Sequence, residues 1–132
     1  LHRLWNRRQC TFFNGASNVA QAGGIAALSQ TGRRECLDLV GYYKENARII
    51  REGVGKIGLE CYGGVDSPYI WTSCPDSMTS WDFFDFLLDK AHVAVTPGSG
   101  FGSAGEGFVR ISAYGHREDV ESAVASIREN LR

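Results

Sequence analysis

Residues 96–118 read TPGSGFGSAGEGFVRISAYGHRE. A glycine-rich loop, Pro97 to Gly107, lies between two strand-like runs, His92–Thr96 before it and Phe108–Ala113 after it. Inside the loop, Gly100 to Gly105 spells G-x-G-x-x-G. A dinucleotide fingerprint needs a helix after that spelling, so that the pyrophosphate meets a helix N-terminus. Here a strand follows, which removes that reading. Strand–loop–strand is the layout of a kinase glycine loop, but no V-A-I-K, H-R-D or D-F-G follows. No Gly-Lys-Ser/Thr occurs, so there is no P-loop. What remains is a loop whose glycines let backbone approach something closely.

The loop runs straight into Arg110. In a strand, alternate residues share a face, so Phe108, Arg110 and Ser112 lie on one side and Val109, Ile111 and Ala113 on the other. One reading of Arg110 is an exposed charge on a sheet edge. The other is a carboxylate clamp, because a guanidinium presents two parallel N–H donors and a strand holds it firmly. That chemistry suits an amino-acid or keto-acid substrate. A second candidate is Asn14, at a turn within Thr11-Phe-Phe-Asn-Gly-Ala-Ser17. It serves either as a turn or capping amide or as a side chain pushed into a cleft.

Outward from this core the chain is legible in coarse terms. Residues 16–30 are rich in Ala and read as a closely packed helix, broken at Thr31–Gly32. A long helix follows from Arg33 to about Lys56, with Leu37, Val40, Tyr43, Ala47, Ile50 and Val54 forming one apolar stripe. Strands are expected at Leu59–Tyr62, Pro68–Cys74, His92–Thr96 and Phe108–Ala113. Ser80 is a plausible N-cap for a helix over 80–90. Val120, Val124, Ile127 and Leu131 mark a last helix over 116–131. The order α-α-β-β-α-β-β-α describes an α/β layer on a small, mostly antiparallel sheet.

The chain has 132 residues, a net charge of −1 and 43% hydrophobic residues. That balance offers no electrostatic footprint for nucleic acid and no polybasic membrane signal. No apolar run approaches the ~20 residues of a membrane-spanning helix. Cys10, Cys36, Cys61 and Cys74 are irregularly spaced, and His2, His92 and His116 are scattered. Neither a zinc site nor any other metal site is indicated. Reduced and mostly buried thiols are expected.

Longer stretches carry more information. FFNGASNVAQAGG (12–24), YYKENARII (42–50), YGG and SPYIW (62–71), SWDFFDFLL (80–88) and the 96–118 motif resemble the C-terminal part of the LL-diaminopimelate aminotransferases. The wording is nearest the plant and algal form, and the resemblance covers nearly the whole chain. It implies the small C-terminal domain of a fold-type I pyridoxal-phosphate aminotransferase. Residues 1–32 would be a remnant of the large cofactor-binding domain, 33–57 the connecting helix and 58–132 the small domain. The family transfers an amino group between LL-2,6-diaminopimelate and 2-oxoglutarate, giving tetrahydrodipicolinate and glutamate in lysine biosynthesis. It works as a homodimer. Arg110 matches the arginine that binds the substrate α-carboxylate. Asn14 matches an asparagine that reaches the partner subunit's active site and binds substrate and cofactor. A plastid location, in the stroma, would follow from the plant-like wording, and a cytoplasmic one otherwise.

The resemblance also implies something missing. The Schiff-base lysine of these enzymes sits in a Ser-rich motif, and Lys44, Lys56 and Lys90 have no such context. The chain starts at Leu1 and reads as the C-terminal piece of a longer enzyme, inactive alone and unable to hold pyridoxal phosphate covalently. Two other readings stay open: another class I/II amino-acid aminotransferase, and a non-catalytic carboxylate-binding or interaction domain.

Overall fold

A computed structural model describes residues 1–13 and 15–131. The chain divides into two compact units, Leu1–Leu39 and Val40–Arg132.

The first unit is helical. α1 spans His2–Phe12 and α2 spans Asn18–Leu28, and α3 begins at Gln30 and continues to Gly55. α1 was not expected, although Leu1, Leu4 and Trp5 already have the i, i+3, i+4 spacing of a helix face. Ser17 caps α2, its hydroxyl accepting from the Ala20 amide at 3.2 Å. The helix break falls at Ser29 instead of Thr31–Gly32. The Ser29 hydroxyl accepts from the Gly32 amide at 3.1 Å, which caps the start of α3. Gly32 then lies inside the helix, where a Cβ would run into the Ala26 carbonyl oxygen. The glycine marks a close approach of two helix ends, and not a break.

The second unit holds the sheet. β1 (Cys61–Gly63), β2 (Tyr69–Ser73), β3 (Thr96–Pro97) and β4 (Phe108–Ser112) are ordered β1-β2-β4-β3, every pair antiparallel. β3 is far shorter than the expected run over 92–96. The helix before it, α4 (Ser80–Phe86), ends in a π turn over Leu87–Ala91. His92 then adopts a left-handed conformation at φ 56° as the cap, and Pro97 brings no amide donor to the ladder. α4 is capped by Thr79, one residue before the expected Ser80. Thr79 and Asp82 form a reciprocal capping box. α5 spans Arg117–Asn130.

Packing follows the strand alternation. Ile70, Thr72, Val109 and Ile111 point to one side of the sheet and are buried. Against them sit Ala47, Ile50 and Val54 of α3 with Val120 and Val124 of α5 in one cluster. Phe83, Leu87, Ala91 and Ile127 pack around Val109 in a second. Gly53 lets α3 and α5 touch, since a Cβ there would strike Val124 Cγ1. Buried Asn46 ties the layers together. Its Nδ2 donates to the carbonyls of Ala113 (3.0 Å) and Gly115 (2.9 Å), and its Oδ1 accepts from Arg117 Nε (2.6 Å). The apolar stripe of α3 is buried only in its second half, because Leu37 and Val40 are exposed.

Candidate functional site

The sheet has helices on one face, and the other face is where Arg110 emerges. β4 is not an edge strand. It lies between β2 and β3, and Arg110 is paired with Trp71 on one side and Thr96 on the other. Tyr62, Trp71, Arg110 and Thr96 therefore form a row across all four strands on the face opposite the core. The edge-charge reading fails on this register.

Aromatic rings surround the arginine. Its guanidinium carbon is 4.4 Å from the Tyr69 ring centre and 4.5 Å from that of Phe101. Phe101 meets Trp71 edge-on at 5.4 Å, and Trp71 and Tyr62 both meet Phe108. On the other side Tyr69 meets Tyr114, which meets Tyr43. Among the described residues, no carboxylate and no other side chain forms an ion pair or hydrogen bond with Arg110. An arginine held by rings and given no anion has its planar N–H edge left for a ligand carboxylate. Beside it, Tyr62, Trp71, Phe101, Ala104, Gly105 and Phe108 line a hollow of about 450 Å³.

The glycine-rich loop forms one wall of this hollow. It is built of two short 3₁₀ turns, Gly98–Phe101 and Ser103–Gly105, joined by Gly102 at φ 120°. Gly98 and Gly105 press backbone on backbone, so that a Cβ on either would collide with the other's carbonyl oxygen. The loop is fastened to the start of α4. The Glu106 carboxylate accepts from the Ser80 amide at 2.7 Å, the Ser80 hydroxyl at 3.1 Å and the Gly107 amide at 3.1 Å. The Ser80 hydroxyl also bonds that of Ser99 at 2.8 Å. The backbone amides of Ser80 and Gly107 hold the Glu106 carboxyl below the usual carboxylate range. No local sequence pattern marks Glu106, Ser99, Phe101 or Tyr69 as part of this site. The aromatic identities at 69 and 101 were the available signal.

Asn14 lies outside the described residues. The lysines provide the test of cofactor fit. Lys44, Lys56 and Lys90 are all exposed, and Lys44 lies 3.5 Å from Asp66. The glycine loop leads into a strand and presents no helix N-terminus to a phosphate. Lys44 lines a second hollow with Tyr43, Pro68 and Tyr114, but it lies exposed beside Asp66, and the described residues offer no phosphate cradle next to any of the three lysines. They do not fit a covalently held pyridoxal phosphate. Among the described residues, no cluster of His, Cys, Asp or Glu could hold a metal ion. The thiols are less buried than expected. Cys10 and Cys36 are exposed and Cys61 and Cys74 half-buried. Desolvation, with the nearby Glu106 charge, pushes the Cys74 thiol up to about 11.

Comparison with known proteins places this geometry. The model of the family "Aminotransferase class I and II" matches residues 4–127. The solved L,L-diaminopimelate aminotransferase of Chlamydomonas reinhardtii is 46% identical, with a TM-score of 0.91. That match covers 99% of this chain and 32% of the algal one. BacF of Bacillus subtilis is 34% identical with a TM-score of 0.81, covering 94% of this chain and 33% of BacF. An aromatic aminotransferase of Pyrococcus horikoshii is 30% identical with a TM-score of 0.74, covering 79% and 28% respectively. The chain thus spans about a third of the length of these relatives.

Proposed function

The chain belongs to the class I and II aminotransferases, and we propose that it is the substrate-carboxylate-binding portion of an LL-diaminopimelate aminotransferase. The observation that carries this is Arg110, seated among aromatic rings on the open face of the sheet with no acidic partner among the described residues. The likeness to the algal enzyme over nearly the whole chain supports the choice of substrate. The reaction is amino transfer between LL-2,6-diaminopimelate and 2-oxoglutarate, giving tetrahydrodipicolinate and glutamate.

In this reading Arg110 takes the α-carboxylate of either substrate through two parallel N–H bonds. The rings flank the guanidinium and leave its N–H edge to the substrate, which fixes the direction of the substrate's Cα. Pyridoxal phosphate is the cofactor of the family, and its covalent anchor is assigned to a part of the enzyme beyond these 132 residues. Asn14 would contribute to substrate and cofactor binding across a homodimer interface. The exposed apolar side chains of α1 and α2, among them Leu4, Trp5, Ile25 and Leu28, suit helices covered by further protein. A plastid location is part of the same proposal and rests on the plant-like wording alone.

Two measurements test the proposal. With the 132-residue chain, pyridoxal phosphate and borohydride are expected to give no stoichiometric adduct at a single lysine. An adduct at Lys44, Lys56 or Lys90 would overturn the division of labour. With an enzyme carrying these residues, diaminopimelate is expected to outrank aspartate and aromatic amino acids as amino donor. Arg110→Ala should raise KM for diaminopimelate and 2-oxoglutarate together. A preference for an aromatic donor would favour the second reading, another class I/II aminotransferase, for which the aromatic hollow beside Arg110 speaks.

A further inference from the structure

We propose that Phe101 is a positioning residue for Arg110, that the glycine-rich loop is shaped to seat its ring, and that Glu106 is the loop's fastening. The proposal rests on the reading of Arg110 as the carboxylate anchor. An arginine side chain is long and loses much rotamer freedom when it grips a ligand. Stacking the guanidinium beforehand reduces that loss, and flat rings do this without occupying its N–H edge.

Tyr69 and Phe101 both lie against the guanidinium, at 4.4 and 4.5 Å, but they are held differently. Tyr69 sits in β2, paired with Ser112 of β4, so the ladder fixes it. Phe101 is outside the sheet, is 52% exposed and belongs to neither core cluster. A half-exposed ring on a loop keeps one position only if the loop does. The loop keeps its shape through a traceable series of contacts. Gly98 and Gly105 lock backbone against backbone. Glu106 accepts from Ser80, and the fully buried Ser80 hydroxyl bonds Ser99, two residues before Phe101. Glu106 thus acts on Arg110 through Ser80, Ser99 and the Phe101 ring. Because Phe101 adds nothing to either core cluster, exchanging it leaves the sheet and its helices intact.

The test uses the 132-residue chain labelled with ¹⁵N. The Arg110 Nε–Hε resonance is read by NMR, alone and in a titration with 2-oxoglutarate. In the wild type this proton is expected upfield of other arginines, because it lies near aromatic ring faces. A random-coil position would overturn the stack outright. Phe101→Leu keeps the bulk but not the π face. It is expected to leave the β2 and β4 amides in place, move the Arg110 proton towards random coil, and weaken 2-oxoglutarate about two- to fivefold. Phe101→Tyr is expected to restore both. Unchanged Arg110 shift and affinity in Phe101→Leu would overturn the role of Phe101. Glu106→Gln should move the Arg110 proton in the same direction, and no movement would overturn the fastening. Arg110→Gln distinguishes the two levels. A retained 2-oxoglutarate response there would refute the carboxylate reading, while the wild-type Hε shift reports on the stack independently.

Discussion

From Leu1 to Leu39, every described residue except Gly32 is exposed, whereas the unit from Val40 onward encloses two apolar clusters around one sheet. Both regions are rich in apolar side chains and both are largely helical at their start. The difference is the second layer. In the later unit the sheet gives the helices an apolar face to cover, and Ile70, Val109 and Phe83 become almost wholly inaccessible. In the earlier unit, Val19, Ile25 and Leu28 project from α2 into solvent. Helical periodicity states where a side chain points. It does not state what it meets. Among the described residues nearly all apolar burial therefore lies after Val40, and α2, with 11 residues and none of them buried, is a marginal helix on local terms alone.

The largest expected effect tests this division directly. Phe83→Ala removes a ring that is 1% exposed and should cost about 3–5 kcal/mol in urea denaturation. Leu28→Ala, at a side chain 79% exposed, should stay within about 0.5 kcal/mol. Comparable costs at the two sites would break the comparison.

Glycines sharpen it at the next level. Gly98 faces the carbonyl oxygen of Phe108 at a distance a Cβ would reduce to 2.6 Å, besides that of Gly105. Gly98→Ala must displace backbone and should cost about 1–3 kcal/mol. Gly23, inside α2, has nothing within 4 Å of a Cβ. Gly23→Ala should raise helix content by circular dichroism, a gain of about 0.5–1 kcal/mol for the helix itself. One glycine is required by close packing and the other is merely tolerated. A loss of helix in Gly23→Ala would show that α2 packs on something in this chain.

What could be read from the sequence follows the same line. The alternation of Phe108, Arg110 and Ser112 against Val109 and Ile111 was legible, because a strand imposes its period locally. That β4 is an inner strand was not, since its neighbours come from residues 69–73 and 96–97. The Glu106–Ser80 contact joins positions 26 apart in sequence, and no local pattern announces it. The shortness of β3 depends on a π turn and a left-handed His92, which HVAVT does not betray. Leu1, Leu4 and Trp5 have the spacing of a helix face, but α1 continues with mostly polar residues and carries no sustained apolar stripe. The proposal of Arg110 as a carboxylate clamp rests on strand chemistry and resemblance together, while the rings beside it needed the register.

Helix caps give a smaller effect. Thr79→Ala removes one half of the capping box on α4 and should cost about 1 kcal/mol of global stability. Ser17→Ala removes the equivalent side chain from α2. There the loss should appear as fraying of that helix, with the urea midpoint unmoved. A shifted midpoint in Ser17→Ala would couple the two regions.

The smallest effect concerns acid, and its sign is fixed by the hydrogen bonds of Glu106. The Ser80 and Gly107 amides hold its folded-state pKa below the ordinary 4.5. A group depressed in this way contributes stability that is fully present above the unfolded value and disappears as pH falls through the folded one. Asp82, lowered by Thr79, behaves alike, but its contribution begins to disappear only below its own ordinary value of 3.8. The wild type should therefore lose stability on acidification below about pH 4.5. Glu106→Gln should be less stable than wild type at pH 7, and the gap should narrow as the pH falls, because protonation costs the wild type the same charged acceptor. Urea midpoints of both proteins at pH 7 and pH 3.5 measure the gap. A gap that widens in acid would mean that Glu106 is not held as a carboxylate by Ser80, and would remove the loop's attachment to α4 from the account of Arg110.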